Sequence, residues 1–202
     1  MLNPGKKQAY TGQYKKAIEM SALQVFNEAG QPRAAVTQDV ASIIAQMNQL
    51  GIQFERWEAN AALPYDAEQE EILAAYQDSI SKLNETYGFK FVDVSVLRPD
   101  HPKKEELRRQ FNTEHTHEDF EIRFFVEGCG LFYFHFDDKV YLLLCEKGDL
   151  ISVPAKTDHW FDMGSSPDFK LIRFFPTQDG WVAEKTGSDI ASRLPDLDAF
   201  LA

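Results

Sequence analysis

At 202 residues, 44% of them hydrophobic and 16 of them Phe, the chain can bury a substantial core, which argues against disorder. A formal charge of -11, with 21 Lys and Arg scattered along it, disfavours a nucleic-acid surface, because polyphosphate binding needs a cationic footprint. No apolar stretch approaches the ~18 residues of a membrane-spanning helix and the start lacks the apolar core of a signal peptide, so a soluble, cytoplasmic protein without membrane partners is expected.

A single domain over 1–202 is expected, with residues 1–22 as an N-terminal extension of unreadable role. LQVFNEAG (23–30) then reads as a strand ending in a glycine turn. Thr37 is placed to cap a helix whose apolar residues Val40, Ile43, Ile44, Met47 and Leu50 recur at helical spacing before Gly51 closes it. FERWEA returns as a short strand. The acidic stretch that follows carries Ile72, Leu73, Tyr76, Ile80 and Leu83 on one stripe, with carboxylates in its first turns where the helix dipole favours them. It predicts one helix over 67–86 with a solvated outer face, ended near Gly88. KFVDVSVL (90–97) alternates as a strand does, Pro99 and Pro102 break it, and KKEELRRQF predicts a short helix.

HTHEDFE (115–121) comes next and leads straight into IRFFVEGCGLFYFHF. Read as strand, the even offsets put His115, His117, Glu121 and Arg123 on one face, because successive strand side chains alternate. A local bulge there would exchange Asp119 for Glu121. From 119 onward, β-rich runs at 122–127, 130–136, 139–145, 149–153, 158–162 and 168–175 are separated by Gly, Asp or Pro turns. FDDK (136–139) and EKGD (146–149) make tight hairpins. An antiparallel sandwich or barrel behind a helical N-terminal half accounts for the chain. Cys129 and Cys145 fall in apolar runs and fit reduced, buried thiols.

An isolated HxH pair is ordinarily local structure. Here His159, behind a Pro bend, joins the same interior face if its strand neighbours the HxH strand, giving three imidazoles and a carboxylate around one point. Such borderline-to-hard donors suit Fe(II), Ni(II), Mn(II) or Zn(II), and four protein ligands on an octahedral ion leave two positions for a chelating substrate. Arg123 serves either as a cation beside that substrate or as a structural partner of Glu121. Arg173 alternates with Leu171 and Phe175 and so faces inward, equally compatible with a structural ion pair or a substrate contact. His101 and His135 read as structural.

These residues also resemble a known pattern. His115, His117, Glu121 and Gly128 match the first cupin motif; Gly148, Pro154 and His159 match the second, with Lys156 where a glycine is usual. EHTHEDFEIRFFVEGCGLFYF, VPAKTDHWFDMG, LIRFFPTQDGW and DIASRLPDLDAF together resemble the acireductone dioxygenase family over about 23–201. The resemblance implies a mainly β, cupin-type double-stranded β-helix (jelly-roll) barrel decorated by α-helices in the N-terminal half. It implies a metal-dependent dioxygenase of methionine salvage that holds one Fe2+ or Ni2+ per chain through His115, His117, Glu121 and His159. Its substrates are O2 and the acireductone 1,2-dihydroxy-3-keto-5-methylthiopentene. The iron form of the family yields formate and 4-methylthio-2-oxobutanoate; the nickel form yields carbon monoxide, formate and 3-methylthiopropanoate. Arg123 then assists formation of the substrate dianion, Arg173, Phe111 and Phe161 contact substrate, and Glu114 aids metal loading. Lys156 and Asp158 depart from the family's usual residues, so the loop before His159 is expected to differ. A zinc cupin isomerase or hydrolase, turning over without dioxygen, and a non-catalytic metal-binding cupin are the rival readings. A monomer is expected.

Overall fold

The computed structural model describes residues 20–177 and 182–202, so the N-terminal extension lies, up to residue 19, outside the described residues. Eleven strands form two sheets among the described residues. The first, in the order β1-β7-β6-β9-β4-β11, joins β1 (Ala22–Asn27), β7 (Lys139–Glu146), β6 (Cys129–Phe136), β9 (His159–Asp162), β4 (His115–Thr116) and β11 (Glu184–Lys185). The second runs β2-β8-β5-β10-β3: β2 (Gln53–Arg56), β8 (Asp149–Val153), β5 (Glu121–Glu127), β10 (Phe169–Phe175) and β3 (Phe91–Leu97). Their pairings are antiparallel. This is the mainly β, cupin-type jelly roll expected, with four of its helices ahead of β4 and a further short one at the C-terminal end.

The apolar runs are continuous rather than alternating because both faces of each sheet are covered. Inward side chains such as Phe125, Phe132, Phe134, Ile151, Phe161 and Leu171 fill the space between the sheets. Outward from the second sheet, Ile122, Phe124, Ile172 and Phe174 pack beneath α2 (Gln69–Ala75) and α3 (Gln77–Tyr87). Outward from the first, Leu131, Tyr133 and Trp160 are covered by Ile190 and Leu194, and by Leu197 of the C-terminal α5 (Leu197–Phe200). Burying a Phe or Leu side chain contributes about 1.5–3 kcal/mol, so each cover element is held chiefly by its apolar stripe. Arg108 of α4 (Lys104–Phe111) adds a bidentate pair to buried Asp162, at 2.6 and 2.8 Å, and ties Asp196 and Asp198 to the same point.

Three local expectations change. The cap of α1 (Val40–Gln49) is Asp39, whose carboxylate accepts the Ser42 N–H at 2.8 Å; the Thr37 hydroxyl instead accepts the Asp39 N–H, two residues too early to cap the helix itself. The helix predicted over 67–86 is broken at Tyr76 into α2 and α3. Tyr76 leaves helical geometry at φ -114°, ψ 15° and sets its ring edge-on to Phe124 at 5.2 Å, a packing that outweighs the uninterrupted periodicity. The HTHEDFE stretch is not one strand: β4 ends at Thr116, a turn intervenes, and β5 opens at Glu121 in the opposite sheet.

Candidate metal centre

The residues of HTHEDFE converge because the chain crosses from one sheet to the other, not because they share a strand face. β4 places His115 directly opposite His159 of β9, as expected of neighbouring strands, and the ligand-capable nitrogens of His115, His117 and His159 all lie within 4.8 Å of one another. All three rings are buried. Glu121, 1% exposed, approaches from the facing sheet, its Oε2 3.1 Å from His117 Nε2 and 3.5 Å from His159 Nε2.

Each imidazole is oriented from behind. Nδ1 of His115 donates to the Thr113 carbonyl at 2.6 Å, Nδ1 of His159 to the Thr157 carbonyl at 2.7 Å, and Nδ1 of His117 to the Val182 carbonyl at 3.0 Å. A carbonyl only accepts, so in every ring Nδ1 carries hydrogen and the neutral imidazole presents its Nε2 lone pair to the centre. Both Glu121 oxygens and His159 Nε2 are buried without an aligned hydrogen bond among the described residues. Lone pairs facing a carboxylate in a dry site repel unless a cation lies between them, so this donor set fits a divalent ion held by three nitrogens and one oxygen.

The electrostatics of His115 and Glu121 agree with this. Burial, then the His159 charge, pushes His115 down to about 4, which keeps it neutral. Burial also opposes protonation of His117, but its contact with Glu121 and that residue's charge outweigh it and raise the ring. Burial would lift the Glu121 carboxyl; the Arg123 charge and the contacts to His117 and His159 hold it well below the usual carboxylate range. Arg123 Nε lies 2.5 Å from Glu121 Oε1, the structural pairing weighed from the sequence, and the guanidinium sits 5.6 and 5.3 Å from the ring centres of Phe132 and Phe161. Burial draws its pKa down against the pull of Glu121.

The remaining candidates divide. Phe161 and half-buried Phe111 pack on the inter-sheet cluster that includes the wall around Arg123. Arg173 is the register partner of Arg123 and forms a two-point pair with Asp93, at 2.8 and 2.6 Å. Glu114, 3% exposed, accepts from His135 Nδ1 at 2.7 Å and from the Thr186 hydroxyl. His135 also meets Glu28 at 3.2 Å, so it is the hub of a carboxylate bridge rather than a hairpin residue alone. Lys156 keeps the left-handed backbone a glycine would adopt, at φ 61°, and its N–H donates to the His117 carbonyl at 2.8 Å. Half-buried Asp158 has its carboxyl raised by burial and by Glu114. Asp93 and the Val182 carbonyl were missed. The signal for Asp93 was an acid on the inward parity of KFVDVSVL; the Val182 contact is a backbone group 65 positions from its partner and leaves no mark in residue types.

The chain matches the model of the ARD/ARD' family over residues 22–183. It is 53% identical over 182 residues to the acireductone dioxygenase of Methylococcus capsulatus, covering 90% of this chain and 98% of the relative. To that of Aquifex aeolicus it is 52% identical over 179 residues, covering 89% and 97%. A solved structure, the acireductone dioxygenase from Bacillus anthracis with cadmium ion in its active center, superposes with a TM-score of 0.74 at 28% identity, covering 82% of this chain and 98% of that one.

Proposed function

Because the chain belongs to the ARD/ARD' family, we propose that it is an acireductone dioxygenase that cleaves 1,2-dihydroxy-3-keto-5-methylthiopentene with O2 as a step of methionine salvage. His115, His117, Glu121 and His159 hold one Fe2+ or Ni2+ per chain in this reading. The iron form gives 4-methylthio-2-oxobutanoate and formate; the nickel form gives 3-methylthiopropanoate, formate and carbon monoxide. The observation that carries it is the meeting of three inward-facing Nε2 atoms and a buried, ionised carboxylate at one point beside a buried guanidinium.

A bound ion, held by His115, His117, Glu121 and His159, would supply Lewis acidity toward the paired oxygens of an enediol. The protein supplies the rest. Carbonyls behind the three imidazoles fix which nitrogen faces inward, so each ring is already oriented when the donors are used. Arg123 places a positive charge where the enediol's second proton departs, and its low-dielectric setting between Phe132 and Phe161 strengthens that attraction. Phe134, which stacks toward His159 at 6.5 Å, and Phe161 keep water from a reactive dianion. Arg173 and Phe111 contact the substrate from the rim, and Glu114, beside His115, aids loading. No helix among the described residues is long and apolar enough to cross a membrane; a cytoplasmic, single-domain monomer is the setting proposed.

The test is anaerobic purification and metal removal, followed by reconstitution with iron and separately with nickel, and an oxygen-electrode assay with the enediol. Oxygen uptake with both metals and carbon monoxide only with nickel are expected. Turnover that persists without dioxygen would install the zinc isomerase or hydrolase reading instead, and metal binding with no turnover the non-catalytic one.

A further inference from the structure

The interior face of the second sheet carries a row of charge at its edge. Asp93 on β3, Arg173 on β10 and Arg123 on β5 are direct register partners across three neighbouring strands. Two guanidinium groups therefore stand opposite each other on adjacent strands, a placement that like charges resist. Each has its own carboxylate: Glu121 for Arg123, Asp93 for Arg173.

The two pairs differ in kind. Arg123 and Glu121 are buried, whereas the side chains of Arg173 and Asp93 are 29% and 38% exposed. A pair that open to water contributes little to stability, about 0–1 kcal/mol, so holding the fold together is a poor account of it. Its geometry is nevertheless demanding. Asp93 grips Arg173 side-on, Oδ1 accepting from Nε at 2.8 Å and Oδ2 from Nη2 at 2.6 Å. That grip fixes the guanidinium plane and occupies only one edge of a five-donor group. Without Asp93, repulsion from Arg123 and the pull of solvent both draw Arg173 outward.

We propose that Asp93 is a positioning residue for the reaction: it holds Arg173 opposite Arg123 at the rim, so that two guanidiniums, not one, receive the anionic enediolate. This rests on the acireductone reading of the site. A lysine at 173 would keep the charge but not the two-point grip, so R173K is expected to behave as a loss.

The experiment uses the metal-reconstituted holoenzyme and the variants D93N, D93E, D93A, R173A and the double variant D93N/R173A, with KM and kcat for the enediol read separately. D93N and D93A are expected to raise KM about 10- to 30-fold with kcat within about threefold of the parent, the scale of losing a charge-assisted contact. D93E, which can rebuild the pair, restores most of the loss. D93N/R173A is no worse than R173A alone, because both act through one contact. Bound metal and melting temperature stay close to the parent in each, which separates positioning from unfolding. The slowly exchanging Nε–H resonance of Arg173 should vanish in D93N whether or not the enzyme turns over. Parent-like KM in D93N, additive losses in the double variant, or an unchanged Arg173 resonance would each overturn the proposal. A parent enzyme with an intact Arg173 resonance but no oxygen uptake would reject the assigned reaction instead.

Discussion

His115 and His159 are register partners on antiparallel strands, their ring centres 4.6 Å apart. Each ring is turned inward by a carbonyl two residues upstream in its own chain, from Thr113 and Thr157. Removing either ring takes one donor from a set of four. H159A should bind nickel or iron more than about 100-fold more weakly than the parent, beyond the range of a lost outer partner. Competition against a chelator measures this. Full occupancy in H159A would move the centre elsewhere.

Gly130 on β6 has no side chain because Phe161 fills that space: a Cβ there would run into the ring's Cε2 and Cζ. Phe161 in turn lies beside the Arg123 guanidinium. G130A therefore overpacks the interior and pushes the ring toward the centre. Urea unfolding should show a loss of about 1–3 kcal/mol, with kcat falling as well.

Lys156 holds a left-handed backbone that costs a non-glycine residue about 1–2 kcal/mol. Its ammonium has only an exposed pair to Glu118 at 3.4 Å. K156G relieves the strain while loosening the unfolded chain, for a net gain of about 0.5 kcal/mol. K156V, branched at Cβ, should lose more than about 1 kcal/mol. Chemical denaturation of the pair gives the contrast.

Asp149 is buried, and burial raises its carboxyl from 3.8 to about 6 despite the Glu146 N–H, Ser21 and Arg56, the last at 2.7 Å. A carboxyl raised on folding contributes stability that is complete below its unfolded value and is lost as pH climbs through its folded one. Between about pH 4 and 6 the unfolding free energy should thus fall by on the order of 2 kcal/mol from this group. D149N, which has no proton to lose, should show a flatter profile over that interval. Matching slopes in parent and variant would contradict the assignment.

How far the sequence could be read depended on whether a contact leaves a trace in residue type. The strands from Glu121 to Phe175 were legible to within a residue or two, because apolar runs stop at Gly148 and at the Asp137 turn. The meeting of His115, His117, Glu121 and His159 was legible too, from the two histidines and the glutamate within seven residues and the histidine behind the Pro bend. Strand parity does not join them: the chain changes sheets at 117–120, and alternation says nothing across a turn. Tyr76 broke a helix whose periodicity ran on, because its ring found Phe124. The Val182 carbonyl behind His117 was invisible, being backbone.

His115 and His159 arrive with the six-stranded sheet, His117 follows one residue past its β4, and Glu121 comes with the five-stranded one. An ion seated among them would therefore act as a rivet between the two walls of the barrel. Each tenfold excess of free ion over its dissociation constant adds about 1.4 kcal/mol to the loaded fold. Heat resistance in this chain is then expected to follow metal supply.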